Sequence, residues 1–179
     1  MNKILTIIII TILAEGNFIN SSSRIYNQRH PLVIEGERER PPYEFCDKNG
    51  IPSGFNVELL SKIAVRLKIP YKVILKNWPD VVQDIHLGKA DLACSLYSDD
   101  KRGLFKFSYS VFDIYHNNVV YKKNGPQITS FRDLNKKTIC VLRKSAALDY
   151  LKRKHFNGKI ITSNNMKGVI DSVSQGKAF

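Results

Sequence analysis

A ten-residue phrase that occurs twice constrains this chain more than any other feature. Val81-Val82-x-x-Ile85-x-x-Gly88-Lys89-Ala90 returns without a gap as Val169-Ile170-x-x-Val173-x-x-Gly176-Lys177-Ala178. In each copy the apolar residues share one helical face, as spacings of one and of three to four residues require. A glycine then ends the helix, where a left-handed residue is cheapest. Shared helix grammar explains part of the match. Two similar α/β units in tandem, facing each other across a cleft, is the reading that covers the rest.

The first copy sits in a larger frame. Pro79 suits a first helical position, because its missing N–H would be unpaired there anyway. Beyond the glycine, Asp91-Leu92-Ala93-Cys94-Ser95-Leu96 is a short apolar run, the profile of a strand buried on both faces. A polar turn follows and ends at Arg102. Open α/β sheets take their ligands on loops at the carboxyl ends of strands, which makes Arg102 the first candidate binding residue.

Taken in order, Leu32-Val33-Ile34 opens a strand, Glu35 to Arg40 reads as a charged connection, and Pro41-Pro42 excludes a helix there. Tyr43-Glu44-Phe45 alternates like an edge strand before an Asp47-Lys48-Asn49-Gly50 turn. A helix follows with Asn56 as its expected N-cap and Val57, Leu60, Ala64 and Leu67 as its buried stripe, widened by Leu59 and Ile63. Residues 71–75 read as the next strand, and residues 115–121 as a longer extended run. After Gly125-Pro126 come a one-turn helix start at Ser130, a buried strand at 138–142, and a helix at 146–154 with Leu148 and Leu151 inward. A short strand at Ile160-Ile161 and the repeat helix from Asn165 complete the pattern.

Composition narrows the class. A hydrophobic content of 43% with 25% charged residues is that of a globular chain, neither disordered nor membrane-embedded. The net charge of +12 would suit a nucleic-acid partner, but the basic residues are scattered from Arg24 to Lys177 with no such motif among them. No nucleic acid is expected. Met1-Asn2-Lys3 and the apolar residues 4–14 make a secretory signal too short to span a bilayer. Cleavage is expected after Gly16, or else after Ala14, giving a periplasmic or other extracytoplasmic location. No cysteine follows that would carry a lipid anchor.

Nothing in the chain suggests catalysis. Cys46, Cys94 and Cys140 match no zinc spacing, and unpaired thiols are expected, with Cys46 the one placed to pair with either of the others. His30, His86, His116 and His155 stand apart from one another, and the carboxylates form no paired motif. No metal and no cofactor are expected, and the chain is not read as an enzyme.

Several phrases, in order, carry a resemblance. They are Pro41-Pro42-Tyr43-Glu44-Phe45, Asn49-Gly50 through Gly54-Phe55-Asn56-Val57-Glu58-Leu59-Leu60, Trp78, and Gly88-Lys89-Ala90-Asp91-Leu92. Arg102, Phe107-Ser108 and Asp133-Leu134 before Val141 continue the series. With them the chain resembles the family 3 bacterial solute-binding proteins of the periplasmic amino-acid-binding type. That resemblance extends to ligand domains of sensor histidine kinases and to the accessory domain of some membrane-bound lytic transglycosylases. It implies an α/β, two-lobe, periplasmic-binding-protein-like (type II) fold that closes on a small ligand, an amino acid or similar carboxylate. An ABC permease or downstream sensor-kinase domains would be the partners. The expected layout is a signal peptide at 1–16, a leader at 17–30, lobe one with its first hinge strand at 31–122, and part of lobe two at 123–179.

The resemblance also implies site residues. Arg102 would grip the ligand carboxylate, a task a planar guanidinium performs through two parallel hydrogen bonds; otherwise it pairs with Asp99 or Asp100. Trp78 would flank the ligand side chain or anchor the core. Ser95, Tyr97 and Ser98 cover positions that meet the ligand in relatives. Ser145 and Ala146 match a turn at a helix N-terminus whose free N–H groups can bind a carboxylate, with Ser145 also a plain N-cap. Arg40 stands where many relatives have an aromatic ring, and Lys144 where they have glycine. With Arg102 these two would favour an acidic ligand, unless both swing out to solvent. The family's lobe-two aspartate and its return strand would fall after Phe179, so these residues are expected to make an incomplete second lobe and no return to the first. Alone they would be marginally folded and bind no amino acid tightly. Other readings are the accessory domain of a lytic transglycosylase or a non-functional fragment.

Overall fold

Parallel strand pairing organises both halves of the molecule. The computed structural model describes residues 25–95, 103, 105–110 and 118–179. In chain order its elements are β1 (Leu32–Glu37), β2 (Glu39–Arg40), β3 (Glu44–Cys46), β4 (Pro52–Ser53), α1 (Phe55–Arg66), β5 (Tyr71–Lys76), α2 (Trp78–His86) and β6 (Leu92–Ala93). A 3-10 turn at Phe131–Leu134 precedes β7 (Thr138–Leu142), α3 (Ala146–Arg153), β8 (Lys159–Ser163) and α4 (Met166–Ser174). The first sheet has the order β5-β1-β6, the second pairs β7 with β8, and β2-β3-β4 form a small antiparallel sheet between β1 and α1 in sequence. β1 runs parallel to β5 from Leu32 opposite Tyr71 to Glu37 opposite Lys76.

Each half is a β-α-β unit, and the repeated phrase is repeated in geometry. Gly88 and Gly176 both adopt left-handed φ, 68° and 73°. The N–H groups of Lys89 and Ala90 both reach Asp84 O, and those of Lys177 and Ala178 both reach Ser172 O. Both alanines are buried. Asp91 N–H then meets Val33 O of β1, and Phe179 N–H meets Thr138 O of β7. The same helix end therefore lays the following residue beside the first strand of its sheet, β1 in one half and β7 in the other.

Three expectations change. β1 does not stop at Ile34: it continues through Glu35 and Glu37, both buried, because its backbone pairs with β5 through Glu37 opposite Lys76, and Lys76 bonds Glu35. Asn56 is not the N-cap of α1; Gly54 is, and Asn56 is buried with its Nδ2 donating to Glu44 Oε1 at 2.6 Å. Of the run 91–96, residues 91–95 are described; they form a strand only at Leu92–Ala93, which lies at an edge of its described sheet, with Leu92 37% exposed. In α1, Ala64 is buried while Val57, Leu60 and Leu67 are half-buried and Ile63 is exposed. The 3-10 turn carries a capping box between Ser130 and Asp133. The three cysteines are free thiols. Residues 1–16, expected to be a signal peptide, lie outside the described residues, and no helix among those described is long and apolar enough to cross a membrane.

Candidate functional site

The two faces of β1 set up two polar arrangements. On one face Lys76 Nζ, at the end of β5, bridges Glu35 Oε1 at 2.6 Å and Asp84 Oδ2 of α2 at 2.5 Å. The ion pair holds the Asp84 carboxyl below its ordinary range and raises the lysine. On the other face the Glu44 carboxylate lies under Gly36, whose missing side chain makes the room: a Cβ there would stand 2.7 Å from Glu44 Oε2. Glu44 Oε2 accepts from Glu37 N–H at 2.6 Å and its Oε1 from Asn56.

At the carboxyl end of β1 these features converge. Glu37 is buried, and its Oε1 has no hydrogen-bond partner among the described residues. Burial pushes its carboxyl up to about 7, Arg40 opposes this, and Glu44 and Glu39 add to it. Burial likewise raises Glu44, against its bonds from Asn56 and Glu37. The Cys94 thiol, next to Ser95, is pushed up to about 12 by burial, with Glu44 adding and Arg40 opposing. The Arg40 guanidinium lies 5.4 Å from the Tyr43 ring centroid. Sequence reasoning passed over Glu37 and Glu44. The available signal was the alternation Ile34-Glu35-Gly36-Glu37, which places two acids at strand period in an otherwise apolar run.

The second half meets the first at α2. Trp78, Val81, Val82 and Leu142 form one buried cluster, with Ala93, Phe105 and Val169 packed on it. Val81 is fully buried and Trp78 is 7% exposed. Trp78 Nε1 donates to Lys144 O at 3.0 Å. Lys144 returns the contact, its Nζ 3.2 Å from both Pro79 O and Gln83 Oε1. The Lys144 ammonium is thus spent on α2, while Arg40 lies near the Glu37 and Glu44 carboxylates. Arg102, the third cation of the cleft expected for an acidic ligand, lies outside the described residues. Lys144 has φ 58°, a conformation suited to the glycine it replaces and costing a lysine on the order of 1 kcal/mol.

The remaining candidates fall as follows. Ser145 caps α3, its Oγ accepting from Leu148 N–H at 3.2 Å, and half-buried Ala146 opens that helix. Ser95 is half-buried just past β6. Trp78, Lys144 and Ser145 come together, whereas Arg40 belongs to the Glu37–Glu44 group. Arg102, Tyr97 and Ser98 lie outside the described residues. A separate hollow of about 610 Å³, lined by Arg29, His30, Lys72 and Lys89, sits at the amino ends of β1 and β5. That is the end opposite the one where such sheets take ligands.

Two α/β units with parallel strands, joined face to face, define the class of two-lobed binding domains. The model of the bacterial extracellular solute-binding proteins, family 3, matches residues 32–173, and the chain belongs to that family. The amino-acid-binding protein AabA of Dichelobacter nodosus is 27% identical over 151 residues, covering 82% of this chain and 59% of that protein. The chain therefore spans less than two thirds of that relative's length. An ancestral arginine-binding protein bound to arginine superimposes with a TM-score of 0.70 at 24% identity, covering 83% of this chain and 67% of that one. A histidine kinase sensor domain with similarity to periplasmic binding proteins gives 0.67 at 22% identity, covering 83% and 65%. At such identities these two likenesses speak for the fold alone.

Proposed function

We propose that this chain is an exported solute-binding domain that holds a small ligand, an amino acid or similar carboxylate, between its two lobes. The observation that carries the reading is the family match over residues 32–173, supported by the likeness to AabA, an amino-acid-binding protein. In this reading Arg102 takes the ligand carboxylate, and backbone or hydroxyl groups of Ser95, Tyr97, Ser98, Ser145 and Ala146 complete the grip. Trp78 borders the pocket from the core side, and Arg40 borders it from β2. Glu37, with a buried oxygen left over, offers an acceptor to a ligand N–H. The same group would serve an ammonium or guanidinium better than a second carboxylate.

The bound domain would report to an ABC permease or to a sensor kinase. The mature chain would start near Asn17, lobe one would run through 31–122, and the second lobe would begin at 123. Thermal melting of the protein, expressed to its natural stop codon, against a panel of amino acids tests the reading. One or a few amino acids should raise the midpoint in a concentration-dependent way. A panel of amino acids and small carboxylates that all leave it unmoved would overturn it.

A further inference from the structure

We propose that Lys144 and Trp78 form a clasp across the seam between the lobes, and that this clasp sets how readily the lobes part. The bonding is reciprocal. The tryptophan at the start of α2 donates to the carbonyl of Lys144, and the Lys144 ammonium donates back to Pro79 O and Gln83 Oε1 of the same helix. Val81 and Val82 from one lobe meet Leu142 and Val169 from the other around the indole. Such a setting removes competing water and strengthens the indole bond.

The backbone of Lys144 points the same way. Among the described residues, Lys68, Lys136 and His155 also have positive φ without being glycine, and each of those follows a helical segment. Lys144 instead stands between β7 and α3, where glycine would be unstrained. What the lysine adds is its reach to α2. None of these bonds passes through a solute, so the clasp biases the lobes toward contact whatever the solute is. Interactions made in only one arrangement shift the balance toward it, and ligand affinity follows the population of the competent state. Only that last consequence rests on the proposed function.

The chain has a single tryptophan, so its fluorescence reports residue 78 alone. The measurement is acrylamide quenching of the purified protein without added solute, with circular dichroism as the control for fold. Lys144→Met keeps the stem and removes the donors; it should red-shift the emission and raise the quenching constant at unchanged helix content. Lys144→Arg should restore native values. Gln83→Glu, which gives the ammonium a charged acceptor, should lower quenching below native. With a bound amino acid, Lys144→Met should weaken affinity about tenfold, the scale of a lost hydrogen bond to a charged group. Native quenching in Lys144→Met, no rescue by arginine, or increased quenching in Gln83→Glu would overturn the clasp. If Lys144→Met loses its fold, Gln83→Glu decides by itself. Quenching that follows the clasp while no amino acid binds supports the clasp and counts against the solute reading alone.

Discussion

Replacing Lys76 with methionine should expose how the first lobe tolerates acids inside it. Glu35 is 2% exposed and belongs to the central strand β1, and Lys76 Nζ is the cation bonded to it. Removing one partner of a buried ion pair costs ~3–5 kcal/mol, because the other charge stays behind without compensation. The Lys76 side chain is 33% exposed, so water reaches the site and the low end of that range applies. Asp84 suffers less. It is nearer the surface, and Lys89 Nζ already lies 3.8 Å from its Oδ1. Its share is that of a surface pair, ~1 kcal/mol or less. The sum is about 3–4 kcal/mol, a large part of the ~5–15 kcal/mol that domains possess. For a chain of this size that loss lowers the melting midpoint by roughly 6–16 °C. Adding Glu35→Gln to Lys76→Met should recover about half of it, since the uncompensated charge is then gone. Urea titration followed by circular dichroism measures both steps. A Lys76→Met midpoint within error of native, or a double variant less stable than the single one, would refute the reasoning.

Glu37 should make stability fall as pH rises. Its folded value, about 7, lies above its ordinary 4.5. The folded state therefore binds the extra proton between those two values, and stability declines as pH climbs through that window. Burial drives the shift, facing Arg40, Glu44 and Glu39, and the decline amounts to up to about 3 kcal/mol. Glu37→Gln should flatten the pH profile of urea midpoints. Gly36→Ala should cost about 1–3 kcal/mol by overpacking, because the new methyl meets Glu44 Oε2 at 2.7 Å and Leu75 Cδ2 at 3.0 Å; the same urea assay checks it. Alkylation at pH 8 should label half-buried Cys46 first and leave buried Cys94 and Cys140 until denaturant is added, as peptide mass spectrometry would report.

Much of the fold was legible because period and punctuation are local. The helix face Val81-Val82-Ile85 with its glycine stop, and the same phrase at Val169, specified two units with matching ends, and the structure repeats them bond for bond. What could not be read depended on partners far away in the chain. Glu35 and Glu37 looked like loop residues, since nothing nearby shows that Lys76, Asp84 and Glu44 surround the strand they continue. Asn56 looked like a cap because caps favour asparagine, but its partner is Glu44, held below Gly36. Lys144 was legible as a departure from glycine, while the direction of its side chain depended on where α2 sits. The expected grip by Arg102, Tyr97 and Ser98 falls in residues outside those described.

The central claim, an amino-acid-type solute held through Arg102, is tested most directly by titration calorimetry. The protein, expressed to its natural stop codon, would be titrated with the amino acid that most raises its melting midpoint, beside an Arg102→Ala variant of matched stability. A hydrogen bond to a charged group is worth ~1.5–3 kcal/mol, so the variant should bind at least about tenfold more weakly. The decarboxylated amine of the same amino acid should bind neither protein. Equal affinity of the native protein and a well-folded Arg102→Ala variant for the amino acid would contradict the account.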